Sequence, residues 1–342
     1  MTNPIYIVGP CSAESREQVL RTARELAAIS RELSTPFIYR AGVWKARTSP
    51  RTYQGAGEEA LEWLIEVKQQ FGMDVATEVA SPEHVEAALK AGIDYLWIGA
   101  RTSANPIAVE AISRQLSAIN YQPKAVLIKN PVNADAGLWI GNIERLEKTG
   151  LPVLAIHRGC NHQPCWSMAH QVRMARPDIP MLLDPSHMSG DASKIPALMG
   201  KIEELGLQGA MIEVHCCPNE ALSDNAQQIT PTCLRDTLDP IACRLRVVSV
   251  FCPSDGQEEL YWLRAEIDEL DEHLWDTIAA RMDVSKRIGE WKKAHGVAPL
   301  QPERYQAIGE KLKEKGESLG LSPDFVKHIW DLIHEQSLKQ QE

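Results

Sequence analysis

Along the first 250 positions, apolar residues gather into short, nearly unbroken runs. They are "IYIVG" (5–9), "FIYRAG" (37–42), "DVATEV" (74–79), "YLWIGA" (95–100), "AVLIKN" (125–130), "PVLAIHRG" (152–159), "MLLDPSH" (181–187) and "AMIEVH" (210–215). Runs this continuous predict strands buried on both faces. Between most of them lie stretches such as "SREQVLRTARELAAISREL" and "GEEALEWLIEVKQQFG", whose apolar positions recur at helical spacing. Eight strand-then-helix units in about 250 residues predict an α/β fold of the (β/α)8 TIM-barrel type. A doubly wound open sheet typically has fewer strands and a glycine-rich phosphate turn after the first. The sequence there is "GPCSAES", which is not that turn.

The pattern changes near residue 250. "FCPSDGQEE" reads as a linker. Beyond it, Leu260, Leu263, Ile267, Leu270, Leu274 and Ile278 recur every three or four residues and predict one long amphipathic helix. Two more helices are expected near 302–318 and 322–341, the last starting at Ser322-Pro323-Asp324 with a cap, a proline and an acid. The chain therefore divides into a barrel (1–251), a linker (252–258) and an all-helical domain (259–342).

Composition adds limits. With 44% hydrophobic and 24% charged residues, the chain reads as an ordinary globular protein. Its net charge of −10 disfavours nucleic acid and anionic membrane as partners, but not small anions in a local basic pocket. No run approaches the roughly 18 apolar residues of a membrane span. The opening "MTNPIYIVG" has no basic leader, and eight scattered cysteines fit reduced thiols, so a cytoplasmic location is expected.

Barrels of this kind do their chemistry at the carboxyl ends of the strands. Two groups of residues fall there. Cys11, His187, Glu213 and Asp224 offer a thiolate, an imidazole and two carboxylates, a mixed set suited to one divalent ion such as Mn²⁺, Fe²⁺, Co²⁺ or Zn²⁺. Arg40, Lys45, Arg47, Arg101, Lys129 and Arg158 bring six cations to one face of an acidic protein. Burying that much positive charge calls for anionic ligands, and phosphates or carboxylates suit arginine forks. The local inference is a metal enzyme for phosphorylated acids.

The strings "GPCSAES", "KARTSP", "IGAR", "LIKNP", "HRG", "DPSH" and "IEVH" followed by "ALSD" resemble, in order and spacing, 3-deoxy-D-arabino-heptulosonate 7-phosphate (DAHP) synthases. The resemblance is to the subfamily shared with 3-deoxy-D-manno-octulosonate 8-phosphate synthases and covers about residues 4–250. It implies condensation of phosphoenolpyruvate with erythrose 4-phosphate. It places the metal on Cys11, His187, Glu213 and Asp224. Phosphoenolpyruvate would lie on Lys45, Arg101, Lys129 and Arg158 with Arg40 alongside, and the sugar phosphate on Arg47 and Thr48. Lys45 and a metal-bound water are both candidate proton donors. The family usually reads Lys-Pro-Arg-Thr-Ser where this chain has Lys45-Ala46-Arg47-Thr48-Ser49. The octulosonate enzymes tend to insert an asparagine, which is missing here. The four-carbon sugar is therefore the expected substrate, and the octulosonate activity is the alternative.

In the helical tail, Arg281 and Lys292 are eleven residues apart, close to three turns, and share a face. Arg264 points about 100° away and suits a neighbouring chain's pocket. On spacing alone, a charged surface helix or a coiled-coil seam would serve as well. The pattern over 258–342 resembles the all-helical chorismate mutases, which are intertwined dimers. The resemblance implies a chorismate site built from Arg281, Lys292, Arg304, Ser337 and Gln341, with Arg264 from the partner, in a homodimer or higher homo-oligomer. Lys292 and Gln341 would stabilise the breaking ether oxygen. Tyr305 and Gln301 replace acids usual in that family. The other reading of the tail is an inactive dimerisation or effector-sensing module. With the barrel starting near residue 5, control of the first activity is expected to fall to this tail.

Overall fold

The computed structural model describes residues 4–45, 49, 51–247 and 257–341. Its backbone divides into two compact units, residues 1–266 and 267–342.

The first unit is a closed barrel of eight parallel strands in chain order. They are β1 (Ile5–Gly9), β2 (Phe37–Arg40), β3 (Val75–Val79), β4 (Tyr95–Ile98), β5 (Ala125–Lys129), β6 (Val153–His157), β7 (Met181–Leu183) and β8 (Gly209–Glu213). All eight expected runs are strands. β1 pairs with β8 to close the ring, with Ile5 opposite Gly209 and Gly9 opposite Glu213.

The strands are apolar on both faces because both faces are covered. Ile7, Ala76, Trp97, Leu127, Ile156, Leu182 and Met211 fill the barrel interior. Tyr6, Val8, Ile98, Ile128 and Ile212 face the surrounding helices. Side chains two apart share a face. Each inward residue near a strand's end is thus followed, two positions on, by one directed at the rim. This places Arg40 after Ile38, Glu78 after Ala76, Lys129 after Leu127, Arg158 after Ile156 and Glu213 after Met211.

Two expected strand ends are instead short helices. β4 stops at Ile98, and Ala100–Ser103 forms a helical turn carrying Arg101. β7 stops at Leu183, and Pro185–Ser189 is a helix carrying His187. Asp184 caps that helix, its carboxylate accepting from the His187 amide at 3.0 Å, and Pro185 fixes its first turn.

The tail helices span Gln257–Ala294, Pro302–Ser318 and Pro323–Gln341. Ser322 accepts from the Phe325 amide at 3.2 Å, the expected cap. Residues 257 and 258, expected in the linker, begin the long helix, and 252–256 lie outside the described residues. Within the second unit, Gly289 allows the last helix to come close. A Cβ there would lie 2.6 Å from the Gln341 Cα. Among the described residues, no helix is long and apolar enough to cross a membrane.

Candidate active site

The strand ends meet as the register requires. Arg40, Lys45, Arg101, Lys129 and Arg158 line one cavity at the barrel rim with His187 and Asp224. Arg47 and Thr48 lie outside the described residues.

Cys11, Glu213 and Asp224 present donor atoms that all lie within 4.8 Å of one another. The Cys11 thiol donates to Asp224 Oδ2 at 3.0 Å. Burial pushes that thiol up to about 12, with Glu213 and Asp224 pushing the same way and Lys45 and Arg40 opposing them. In the protein alone a proton holds these acidic groups together, and a divalent cation is chemically suited to replace it. The fourth expected ligand, His187, stands at the edge of the cluster. Its Nε2 is 3.6 Å from Glu213 Oε1, while Asp184 engages its Nδ1 at 3.0 Å. A carboxylate behind a histidine is the usual support for a metal-binding imidazole. The residues fit a divalent ion that accepts mixed sulfur, nitrogen and oxygen donors.

Glu213 is fully buried. It is held by Arg40 Nη2 at 3.2 Å, Gln227 Nε2 at 2.8 Å and, at its amide, Ser186 Oγ at 2.9 Å. Burial pushes its carboxyl up, but His187 and Arg40 prevail and keep it below its ordinary value. Arg40 lies 4.7 Å over the Trp97 ring inside the barrel, and its Nε and Nη1 are buried without a partner. Donors buried in that state suit an anion.

Lys45 is buried, yet its pKa is raised. Burial lowers it, and the Cys11, Glu78 and Glu213 charges more than offset that. Its Nζ donates to the Cys11 carbonyl at 3.1 Å and lies 3.7 Å from Glu78. Lys129 donates to Asp184 at 2.6 Å, both side chains being almost wholly buried. Burial pushes Asp184 up, but His187 and Lys129 bring it well below the carboxylate range. The Arg158 amide donates to Asn130 Oδ1 at 2.7 Å, and burial lowers its guanidinium.

Glu78 and Asp184 were not among the expected site residues. Glu78 carried a signal, since it follows the inward Ala76 by two positions. Gly99 makes room for it, as a Cβ there would fall 2.0 Å from Glu78 Oε1. Asp184 opened the "DPSH" string and preceded a proline, where a cap belongs.

In the second unit, four expected residues meet in two pairs. Arg281 Nη1 donates to Ser337 Oγ, and its guanidinium lies 5.5 Å over the Trp330 ring. Lys292 Nζ donates to Gln341 Oε1 at 3.0 Å and to the Pro299 carbonyl at 2.6 Å. Arg304 does not join them and is exposed, as is Arg264, which belongs to the first unit. Tyr305 donates its hydroxyl to Asp331 and stacks on Trp330 at 5.8 Å.

A closed (β/α)8 barrel whose rim gathers five cations and a mixed sulfur, nitrogen and oxygen donor set belongs to the class of barrels that act on small anions at their strand ends. The sequence profile described as the DAHP synthetase I family matches residues 2–242, and the chain belongs to that family. The chorismate mutase type II profile matches residues 263–342. A phospho-2-dehydro-3-deoxyheptonate aldolase of Thermotoga maritima is 30% identical over 230 residues, which is 65% of this chain and 64% of that protein. The match thus spans just under two thirds of that relative. A 2-dehydro-3-deoxyphosphooctonate aldolase of Wolinella succinogenes is 26% identical over 68% of this chain and 95% of its own. The solved structure of the Thermotoga maritima DAHP synthase superposes with a TM-score of 0.62 at 27% identity, covering 72% of this chain and 70% of that one.

Proposed function

We propose that the barrel condenses phosphoenolpyruvate with erythrose 4-phosphate to give DAHP and phosphate, and that the helical unit rearranges chorismate to prephenate. The observation that carries the first part is the single cavity shared by Arg40, Lys45, Arg101, Lys129, Arg158, His187 and Asp224. Two phosphorylated substrates repel each other, and a ring of fixed cations offsets that repulsion and orients them. Orientation of this kind is worth up to roughly 7–11 kcal/mol of barrier. Lys129 and Arg158 would hold phosphoenolpyruvate, with Lys45 between it and the metal ligand Cys11. Lys45 Nζ, 3.2 Å from Cys11 Sγ, is a proton donor at the reacting end. Arg47 and Thr48 are assigned to the sugar phosphate by resemblance. Cys11, His187, Glu213 and Asp224 would hold one divalent ion (Mn²⁺, Fe²⁺, Co²⁺ or Zn²⁺), which supplies Lewis-acid polarisation of the sugar aldehyde.

In the helical unit, the rearrangement needs no acid or nucleophile. It needs a compactly held dianion and a stabilised ether oxygen. Arg281 with Ser337 and Lys292 with Gln341 supply those groups, and in this reading Arg304 and an Arg264 contributed by a second copy of the chain complete the site. Exposed apolar side chains along the long helix, Leu270, Leu274 and Trp275 among them, support a homodimer in which they are covered. The domains are assigned as 1–251 and 259–342, with a cytoplasmic location. Two activities in one chain also support feedback through the tail, tested by deleting 256–342 and measuring the response to prephenate.

Rates with erythrose 4-phosphate and arabinose 5-phosphate test the barrel reading. Turnover of the five-carbon sugar alone would favour the octulosonate reaction, toward which the octonate aldolase relatives point. Cys11→Ala is expected to weaken Mn²⁺ binding by at least tenfold and to abolish condensation. Retention of both would refute the metal assignment.

A further inference from the structure

Outside the rim cavity lies a second one of about 380 Å³, lined by Glu14, Arg21, His215, Cys216, Cys217 and Glu220. Nothing in the proposed reactions uses it. Among its lining residues is a pair of adjacent cysteines, both free and half-buried. His215 is 3% exposed and lines the same cavity. Its Nδ1 accepts from the Cys217 amide at 2.9 Å, so Nε2 carries the proton, and that N–H has no partner. It lies 3.8 Å from Glu14 Oε2, beyond hydrogen-bond reach. Arg21 lies beside both thiols, and its guanidinium, raised chiefly by the nearby Cys217 and Cys216, hydrogen-bonds Cys217. Burial pushes the Cys216 thiol up, with the Thr22 hydrogen bond and Arg21 opposing it, and the thiolate fraction present is the nucleophile.

The loop leaving this pair leads to the metal ligand Asp224. Glu14 Oε1 accepts from the Leu222 amide at 2.9 Å and from Ser12 Oγ at 3.3 Å. Ser12 Oγ in turn bonds Ser223 Oγ. One carboxylate therefore ties the cavity to the residues that follow Cys11 and precede Asp224.

We propose that Cys216 and Cys217 form a dithiol modification site that exchanges with a small disulfide, and that its closure weakens metal binding through the Leu222–Asp224 loop. The second clause rests on the metal reading given above. In the exchange, the Cys217 thiolate attacks one sulfur of the small disulfide. A mixed disulfide forms and one thiol leaves. Cys216 Sγ then attacks the Cys217 sulfur, closing the Cys216–Cys217 bond and releasing the second thiol. Two electrons pass from the pair to the small disulfide, and the two protons of the pair leave on the released thiols. An eight-membered ring between neighbours twists the peptide joining them, whose N–H is held by His215. Strained, accessible disulfides of this kind are readily reduced, which makes the step reversible.

The full-length, metal-free chain treated with oxidised glutathione tests this. Peptide mapping is expected to show the segment with Cys216 and Cys217 lighter by two hydrogens and free of glutathione. Cys216→Ser is expected to stop at a stable glutathione adduct on Cys217. No reaction at either residue, or a stable adduct in the wild type, would overturn the site. Mn²⁺ titration of the reduced chain tests the metal reading separately. After oxidation the wild type is expected to bind about tenfold more weakly, the scale of a lost supporting contact. The Cys216→Ser/Cys217→Ser chain is expected to be unaffected by the same treatment. Equal affinity of the oxidised and reduced wild type, or an equal loss in the double variant, would overturn the coupling.

Discussion

His157 offers a sharp test of the packing around the barrel. It ends β6, faces outward and is fully buried. Its ring lies 5.3 Å from that of Trp166 and 6.3 Å from that of Trp139, and neither ring nitrogen has a partner. Burial, reinforced by the neighbouring Arg158 charge, lowers its pKa from 6.5 to about 3. The folded protein refuses a proton that the unfolded chain accepts, so this histidine's contribution to stability is full above about pH 6.5. It is lost as the pH falls toward about 3, with a limiting slope of about 1.4 kcal/mol per pH unit. Between about pH 7 and pH 5, linkage gives a loss of about 2 kcal/mol from this group. His157→Phe keeps an aromatic ring in the slot and removes the titration. Urea unfolding of both chains at both pH values, following the barrel by circular dichroism, isolates the term, because titrations common to the two cancel. The wild type should lose about 2 kcal/mol more than the variant over that interval. Parallel pH dependences would refute the argument that His157 is sealed from water and held neutral.

Other outcomes follow from the same contacts. Lys129→Met leaves Asp184 buried without its lysine and is expected to destabilise the barrel by about 3–5 kcal/mol, read by urea unfolding. Arg281→Ala is expected to slow chorismate loss by roughly 10²–10³-fold while leaving condensation unchanged, checked by assaying both activities in one preparation. Leu270→Glu with Leu274→Glu, on the exposed apolar face of the long helix, is expected to shift sedimentation from dimer to monomer.

The barrel was legible because a strand buried on both faces has no polar alternation to blur it. The tail was legible because its helices carry apolar positions every three or four residues. Arg101 and His187 were expected at strand ends, although Gly99-Ala100 and Asp184-Pro185 already break the β pattern. The backbone turns helical at Ala100 and at Pro185 instead, and both side chains still reach the rim. Glu78 resembled a surface acid until the alternation from Ala76 was counted. Asp184 needed the fold itself, because its partner Lys129 is 55 positions away. The meeting of Cys216, Arg21 and Glu14 was equally invisible, being made by the seam where the first and last strands pair.

That seam has a consequence for how the protein comes into being. Cys11 leaves the ribosome some two hundred positions before Glu213 and Asp224. Their donor atoms meet only when Gly9 docks beside Glu213 and the ring is shut. Any ion taken up there recognises the finished cylinder and none of its open precursors. Such an ion would act as a clasp on that join, and the barrel's resistance to unfolding should then climb with the logarithm of free ion concentration once that exceeds Kd.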